Sequence, residues 1–299
     1  MNLHLTRNFQ TAASLAAALG GAIFDCLILA VKAYDTTAFT QELKAITNAP
    51  PPILCLQNGV DAETEVAAAF EPRPVIAGTV TSPVSKQLDG SLVIETARGS
   101  GRARGPPRSA PLAAALTQDG IRTRLYPAAG PMKWSKLLAN LVGNATSAIV
   151  DLPVAELFGD PRLYAIEIET LRECLRVMRG LSYPVVNLPG VPVRLLAWAA
   201  GSLPAGLARP LLGRAVGAGR GAKMPSLNLD VQAGRPRTEV RWLNGAVARH
   251  GAALGLATPV NQALTEAVEA LTTGRLNRAD FRHKPDALIN WIANYPSPL

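Results

Sequence analysis

Three polar residues at steps of four interrupt an otherwise apolar stretch and could act on a carbonyl group. Lys136, Asn140 and Asn144 fall among apolar and small residues that favour a buried helix. Residues four apart in an α-helix differ by only about 40° around its axis, so these side chains would form one stripe. A buried lysine is costly without partners or a task, and an amine beside two amides could polarise a carbonyl oxygen and protonate it. The alternative is a partly exposed lysine beside two asparagines that the packing tolerates.

The stretches before this helix alternate between two patterns. Continuous apolar runs, typical of parallel strands covered on both faces, span residues 24–31, 53–56 and 74–80. Helical patterns span residues 11–19, 36–46 and 61–70. Strands that alternate with helices predict an α/β domain with right-handed crossovers and a parallel sheet.

Polar residues follow the first two apolar runs. Lys32 comes directly after the first run, and Asn58 follows the second. Ligands of parallel sheets bind beyond the carboxyl ends of the strands, so both residues are candidates for a binding site. The alternative, a polar residue that simply leaves a core strand, is common for either residue alone.

The pattern changes near residue 91 and again at Gly130. Two further strands are predicted at 91–96 and 122–126. Later helices are predicted from 133 to 149, at 161–179, as short pieces within 184–221, at 236–254 and at 260–273. We therefore expect two domains, at 1–128 and 129–299. Lys136 would begin the second domain, beside the cleft where a two-domain enzyme places catalytic groups.

One glycine-rich segment is similar to a phosphate-binding loop. Gly99 and Gly101 follow a predicted strand, but the third glycine, Gly105, comes one residue late. Pro106-Pro107 then stands where a helix should open. The segment fails as a dinucleotide fingerprint on spacing and on context, and no GxGxxG follows a predicted strand anywhere in the sequence.

The composition is that of a well-buried globular protein. Of the 299 residues, 48% are hydrophobic and 17% are charged, which argues against a disordered chain. The formal net charge is +8, but the basic residues are mostly scattered arginines, so nucleic acid is not a predicted partner. A diffuse positive field suits an anionic substrate or cofactor.

The cysteines, the histidines and the hydropathy pattern bear on disulfides, metal sites and cellular location. The three cysteines and three histidines are widely spaced, so no disulfide framework and no metal site is predicted, and the cytoplasm is the expected location. Charged residues or prolines interrupt the apolar segments 11–31 and 195–218, so no membrane span is predicted. The oligomeric state stays open, with a homo-oligomer as one alternative.

Five short motifs in order give a more specific prediction. They are Phe24-Asp…Ala30-Val-Lys-Ala33, Leu56-Gln-Asn-Gly59, Trp134-Ser-Lys-Leu…Asn140…Asn144, Ser226…Asp230…Ala233-Gly-Arg…Thr238-Glu239…Leu243-Asn-Gly245, and Pro259 with Asn261. On these residues the chain resembles the ketopantoate reductase (2-dehydropantoate 2-reductase) family. No single motif is specific, but their order is.

The resemblance implies a fold and an activity. Family members have a Rossmann-like first domain and a helical second domain similar to that of phosphogluconate dehydrogenases. They reduce the ketone of 2-dehydropantoate to pantoate with NADPH, a step toward pantothenate. The expected fold class is therefore α/β, an incomplete Rossmann-like N-terminal domain followed by an all-helical C-terminal domain. The implied partner is a small-molecule 2-oxo acid, and the implied cofactor is NADP.

The resemblance also implies roles for individual residues. Lys136 looks like the general acid that protonates the carbonyl oxygen as hydride arrives, a role that fits its charge. The implied substrate-binding residues are Asn140, Asn144 and Ser226, and the implied cofactor-binding residues are Lys32, Asn58 and Glu239. Glu239 could alternatively form a surface ion pair, because arginines lie near it at 235, 237 and 241.

The beginning of the chain departs from the family pattern. Family members open with a strand, GxGxxG and a helix, a unit that has no counterpart here. We expect an unpaired sheet edge with apolar surface and poor NADPH affinity for the chain as written; a start assigned too late would explain the gap. The alternatives are a catalytically impaired relative or interaction module, and an NADP-dependent reductase of another 2-oxo acid.

Overall fold

The computed structural model describes residues 10–21, 23–70, 75–86, 92–94, 98–103, 109–203, 209, 212–213 and 224–296. The chain divides into two compact units. Unit 1 comprises Met1–Gln57, Asp61–Lys133 and Leu188–Val191, and unit 2 comprises Asn58–Val60, Trp134–Asn187 and Pro192–Leu299. The short loop Asn58–Val60 is thus grouped with the helical unit. The domain limits 1–128 and 129–299 stay a prediction.

Unit 1 is built on the alternation of strands and helices. Its first elements are α1 (Leu15–Leu19), β1 (Leu27–Leu29), α2 (Thr36–Ile46), β2 (Ile53–Cys55), α3 (Ala62–Phe70) and β3 (Val75–Val80). The three strands pair in parallel, with Leu27 opposite Ile53 and Ile53 opposite Val75. The prediction of parallel strands joined by helices is confirmed for this part of the chain.

The second half of the sheet runs differently. The following elements are β4 (Val84–Lys86), β5 (Leu92–Ile94), β6 (Ser100–Ala103), α4 (Ser109–Gln118) and β7 (Thr123–Tyr126). The strand order is β1-β2-β3-β6-β7, with β6 antiparallel to β3 and parallel to β7. The sheet is therefore mixed and not parallel throughout: the antiparallel β4–β5 pair lies between β3 and β6 along the chain, and an antiparallel neighbour does not need the crossover connection that a parallel one does.

The core of unit 1 lies between the sheet and the helices α2 and α3. The cluster combines strand residues with helix residues, and each is almost fully buried. Its members are Leu29, Leu43, Ile53, Cys55, Val66 and Phe70. Burial on this scale stabilises the unit by about 25 cal/mol for each Å² of apolar surface removed from water.

Strand β1 is less covered than its apolar composition predicts. It lies at one edge of the described sheet, and Ile28 at its centre is 51% exposed. Phe24 and Val31, which flank the strand, are also exposed. The expectation of two covered faces is therefore wrong for β1, whereas the expected apolar surface at the sheet edge is present.

Unit 2 is built from helices. They are most of α5 (Ala129–Leu141), which begins in unit 1, then α6 (Asn144–Val150), α7 (Val154–Gly159), α8 (Pro161–Gly180), α9 (Val193–Ser202), α10 (Ser226–Gln232), α11 (Asn244–Ala253), α12 (Pro259–Thr272) and α13 (Pro285–Ala293). The sequence pattern missed α7, α10 and α13, each shorter than ten residues. Within the described ranges, no helix has the length and apolar character needed to cross a membrane.

The single helix predicted from 133 to 149 is broken in two. Gly143 adopts φ +64° between α5 and α6, and a Cβ atom there would lie 2.5 Å from the side chain of Val154. Its backbone N–H donates a 2.6 Å hydrogen bond to the buried carboxylate of Glu167 on α8, where a negative charge favours a helix start. Asn144 therefore begins a new helix and does not continue the α5 stripe.

A second buried carboxylate on α8 fixes the beginning of α12. Glu173 accepts hydrogen bonds from the backbone N–H groups of Val260 (2.9 Å) and Asn261 (2.8 Å). The Asn261 side chain also donates to Glu173 at 2.7 Å and accepts from Asn244 at 3.0 Å. The Pro259 and Asn261 motif is thus explained by a helix cap, with proline at the first turn, where its missing N–H costs nothing.

Candidate active site

Helix α5 carries two lysines in different surroundings. Lys136 is partly exposed, whereas Lys133 is only 4% exposed. The helix itself is firmly packed: Leu137 and Leu138 are fully buried, and the Trp134 ring meets the ring of His250 on α11 edge-on at 5.1 Å. Lys136 therefore projects from a fixed support, and its partial exposure leaves it accessible to a bound molecule.

Asn140, one turn after Lys136, contacts a second predicted site residue. Its side-chain Nδ2 donates a hydrogen bond of 3.2 Å to Oδ1 of Asn58. Asn58 is exposed and Asn140 is partly exposed, so the pair lies at an accessible surface of unit 2. Two residues that the sequence assigned to different ligands are thus in direct contact.

The glycine after Asn58 packs against another predicted segment. Gly59 has φ +82°, and a Cβ atom there would lie 2.5 Å from the carbonyl oxygen of Trp242. Trp242 ends the 3-10 turn Glu239–Trp242. The backbone geometry and the close contact both require glycine, which brings the Asn58 loop next to the turn that Glu239 begins.

Glu239 itself is buried, with 5% of its surface exposed. Two of the nearby arginines pair with other carboxylates: Arg241 pairs with Glu269, and Arg235 pairs with Asp230 at 2.8 Å. Burial argues against the alternative of a surface ion pair for Glu239. An interior carboxylate next to the Asn58 loop is better placed to orient a neighbouring group.

Asn144 connects two of the predicted substrate-binding elements. Its side-chain Oδ1 accepts a 3.2 Å hydrogen bond from the backbone N–H of Leu227, and Asn144 is buried. Leu227 follows Ser226, the exposed first residue of α10. The amide oxygen of Asn144 thus fixes the end of α10 that carries Ser226.

A buried aspartate supports the same pair of helices from the other end of α6. Asp151 ends α6 with φ +57°, a conformation that aspartate tolerates better than most residues. Its carboxylate accepts from Asn228 of α10 at 3.2 Å and from Arg282 at 3.0 Å. Both ends of α6 are therefore hydrogen-bonded to the first turn of α10.

Six of the seven predicted site residues belong to unit 2. They are Lys136, Asn140, Asn144, Ser226, Asn58 and Glu239. Lys32 belongs to unit 1, where it precedes the 3-10 turn Ala33–Asp35 and is partly exposed. It follows the carboxyl end of β1, as Gln57 follows that of β2.

The sequence pattern missed Lys133. In unit 1 its Nζ lies 2.8 Å from Glu63 Oε1 and donates hydrogen bonds to the carbonyl oxygens of Gln57 at 2.8 Å and Gly78 at 3.4 Å. Helical periodicity could have identified it: Lys133 lies four residues before Leu137, so both side chains fall on the buried face of α5. Burial and, secondarily, Glu63 raise the pKa of the neighbouring Cys55 thiol to about 12, so Cys55 is not a nucleophile at neutral pH.

The residues at the carboxyl ends of the strands fit the polar groups of a dinucleotide only in part. Gln57 Oε1 is buried and has no hydrogen-bond partner among the described residues, and an N–H group of a ligand would satisfy it. Gly99 and Gly101 offer no phosphate cradle, because added Cβ atoms would collide with Arg122 and Tyr126. No other glycine-rich strand-to-helix loop occurs in the described part of the chain.

Comparisons with known proteins give one consistent family. The family model described as "Ketopantoate reductase PanE/ApbA" matches residues 3–102, and "Ketopantoate reductase PanE/ApbA C terminal" matches residues 130–272. The 2-dehydropantoate 2-reductase of Pyrobaculum aerophilum is 30% identical over 84% of this chain and 79% of its own length. The enzyme of the same name from Halobacterium salinarum is 29% identical over 82% of this chain and 75% of its own length.

Solved structures show the same fold. A PanE/ApbA family ketopantoate reductase from Ralstonia eutropha superposes with a TM-score of 0.71 at 24% identity, covering 87% of this chain and 79% of that one. D-mandelate dehydrogenase, solved with NADH and anilino(oxo)acetate, superposes with a TM-score of 0.66 at 20% identity, covering 84% of this chain and 77% of that one.

Proposed function

Because the chain belongs to the ketopantoate reductase family and is an oxidoreductase, we propose that it reduces 2-dehydropantoate to pantoate with NADPH. The named relatives support ketopantoate reduction in general. A nicotinamide dinucleotide is supported by the related fold solved with NADH. The choice of NADP, and of 2-dehydropantoate over other 2-oxo acids, belongs to the proposal.

One observation carries the proposal. Lys136 and Asn140 lie one turn apart on α5, and Asn140 is hydrogen-bonded to Asn58 at 3.2 Å. The Lys136 ammonium group, the Asn140 amide and Asn58, three residues past the end of β2, thus belong to unit 2, and the two asparagines are in contact. Reduction of a ketone needs a proton donor and groups that hold the substrate, and the proposal assigns these tasks to these residues.

The chemistry follows from the charge that develops in the reaction. NADPH, when bound, supplies the hydride that adds to the carbonyl carbon. Negative charge then builds on the oxygen, and the Lys136 ammonium would stabilise that charge and transfer a proton to it. The product is a hydroxyl group, and the lysine regains its proton from water.

The amide and hydroxyl side chains have a positioning task. Asn140 and Ser226 would hold the carboxylate and hydroxyl groups of the substrate, since both are accessible and fixed polar groups reduce the entropy lost on reaching the transition state. Asn144 would act with them, and its oxygen secures α10. Lys32, Asn58 and Glu239 are the residues proposed to hold the cofactor.

The proposal is tested by following NADPH oxidation with a panel of 2-oxo acids. We expect 2-dehydropantoate to give the highest kcat/KM, and NADPH to be preferred over NADH. Turnover of another 2-oxo acid in preference to 2-dehydropantoate would favour the second candidate, a related reductase, to which the fold solved with anilino(oxo)acetate points. No turnover with any of these substrates would favour the impaired relative or interaction module.

Location and assembly stay predictions. A cytoplasmic location is supported by the three cysteines, all of which are free and two of which are buried. Cell fractionation tests the location, and sedimentation of the purified chain tests for a homo-oligomer.

A further inference from the structure

The buried pair of Lys133 and Glu63 has no role in the proposed chemistry. Lys133 is 4% exposed, and the Glu63 side chain is 16% exposed. Removing an ammonium group from water is costly, and here a carboxylate and two carbonyl oxygens offset the cost. The contacts of Lys133 therefore have to be explained by what they hold in place.

The contacts of Lys133 converge on the end of strand β2. The shorter of its two carbonyl contacts, 2.8 Å, is with Gln57, and the longer, 3.4 Å, is with Gly78 in β3. The Gln57 side chain in turn donates to Thr36 Oγ1 at the start of α2, at 3.1 Å. Gln57 is thus held by both its main chain and its side chain, and the next residue is Asn58.

Helix α5 also holds Asn58 directly. Asn140 donates to the Asn58 side chain at 3.2 Å, seven residues after Lys133. One helix therefore binds the Gln57-Asn58 segment through two side chains, about two turns apart. Lys133 fixes the main chain, and Asn140 fixes the side chain that follows.

An ion pair that served stability alone would not need this geometry. Buried ion pairs can often be replaced by apolar residues of similar volume without loss of stability. An apolar replacement could fill the same space, but it could not donate a hydrogen bond to the Gln57 carbonyl. The two roles can therefore be separated by experiment.

We propose that Lys133 is a positioning residue that fixes Asn58 by binding the main-chain carbonyl of Gln57. Its effect on cofactor binding rests on the proposed function, in which Asn58 contacts the cofactor. Its effect on the position of Asn58 does not rest on that function.

The test compares a single with a double variant of the full chain. Lys133→Met leaves the Glu63 carboxylate buried without its partner, so the thermal unfolding midpoint should fall by on the order of 10 °C. Lys133→Met with Glu63→Leu removes both charges and should return the midpoint to within about 3 °C of the parent. Lys133→Met with Glu63→Gln is the second double variant if the first unfolds, and Lys44→Met, at an exposed lysine of α2, is the matched control.

The position of Asn58 is measured through its partner. The side-chain amide of Asn140 gives an NMR signal, which is assigned by its disappearance in Asn140→Ala. The Asn58→Ala variant removes the hydrogen-bond acceptor of this amide and shows the chemical shift of the signal without that bond. In a double variant of parental stability, we expect the signal to move most of the way to the Asn58→Ala position. An unchanged signal at parental stability would overturn the proposal, since Lys133 would then be only structural.

A titration with NADPH separates this proposal from the proposed function. Asn58→Ala and the stable double variant should both weaken binding about tenfold, the equivalent of one lost hydrogen bond. If Asn58→Ala binds NADPH like the parent, the cofactor role of Asn58 is wrong, and the NMR signal alone decides the role of Lys133. If Asn58→Ala weakens binding while the double variant does not, the positioning role is wrong.

Discussion

The two lysines of α5 differ in burial, and the difference suits them to different roles. The Lys133 side chain is buried beside Glu63 and two carbonyl oxygens. Lys136, three residues later, is partly exposed. A proton donor has to reach both the substrate and the solvent that reprotonates it, which is why we propose Lys136, and not Lys133, as the general acid.

Two variants of Lys136 distinguish the contribution of its charge from the contribution of its proton. We expect Lys136→Ala to lower kcat by about 10²- to 10⁴-fold, the usual contribution of a general acid. Lys136→Arg should keep much of the substrate affinity but also lose most of kcat, because a guanidinium group does not give up its proton. Steady-state kinetics with NADPH and 2-dehydropantoate measure both.

The exposed Lys44 provides the control for these variants. Lys44→Ala should leave both kcat and KM unchanged. A Lys136→Ala variant that kept parental kcat would show that another group protonates the carbonyl oxygen.

Residue types near Lys136 could be predicted from the sequence, whereas the partners of Lys133 could not. Lys136, Asn140 and Asn58 were identified because their spacing or their place after a strand is visible locally. The carbonyl partners of Lys133 lie 76 and 55 residues away along the chain. Contacts at that separation depend on the packed fold, which a local pattern does not contain.

At the scale of elements, Gly143 decides where α5 ends. The apolar pattern from 134 to 149 is continuous and predicted one helix, but the positive φ of Gly143 and its contact with Val154 break it. The buried Glu167 then receives the N–H group at the break. The prediction failed because the break depends on residues of α7 and α8.

A matched pair of glycine variants tests this break. Gly255 has φ +67°, close to the +64° of Gly143, but nothing lies within 4 Å of an added Cβ atom. Gly255→Ala should therefore cost only the backbone strain, about 1 kcal/mol. Gly143→Ala should cost on the order of 3 kcal/mol, because Val154 has to move as well. Denaturant unfolding measures both, and equal losses would show that the contact with Val154 is not tight.

The capping carboxylate of α12 makes stability depend on pH. Burial raises the pKa of Glu173 above its ordinary value of 4.5, although the hydrogen bonds from Asn261 and Val260 oppose that shift. The folded protein thus holds this proton more tightly than the unfolded chain. Its contribution to stability is present below pH 4.5 and is lost as the pH rises through the raised pKa.

Glu173→Gln should reduce this dependence. Free energies of unfolding measured from about pH 4 to pH 7 should fall less steeply for Glu173→Gln than for the parent. Glu42→Gln, at an exposed position of α2, is the control and should keep the parental slope. A parental slope in Glu173→Gln would mean that another group causes the dependence.

At the scale of the whole molecule, the alternation of strands and helices up to β3 followed from the sequence alone. The strands appear as continuous apolar runs and the helices as helical patterns, and both are visible within a few residues of sequence. The antiparallel return of β6 did not follow, because pairing direction depends on the connection between strands and not on their composition. The helices α7, α10 and α13 were missed because helices this short show little apolar periodicity.

The net charge of +8 should attract an anionic substrate. The Debye length falls from about 30 Å at 0.01 M salt to about 3 Å at 1 M, so the field of distant charges is screened. We expect kcat/KM for the 2-oxo acid to fall several-fold over this range while kcat changes little. An uncharged ester of the same substrate is the control, and an equal fall for the ester would attribute the effect to salt on the protein itself.

The contact between Gly59 and Trp242 gives the Asn58 loop an optical signal. The indole of Trp242 is attached to the backbone on which Gly59 rests, so a shift of the loop changes the surroundings of a fluorophore. Ligand binding at Asn58 would then alter the emission of the parent more than that of Trp242→Phe. The chain carries four tryptophans, and the difference between these two proteins isolates the one beside the loop.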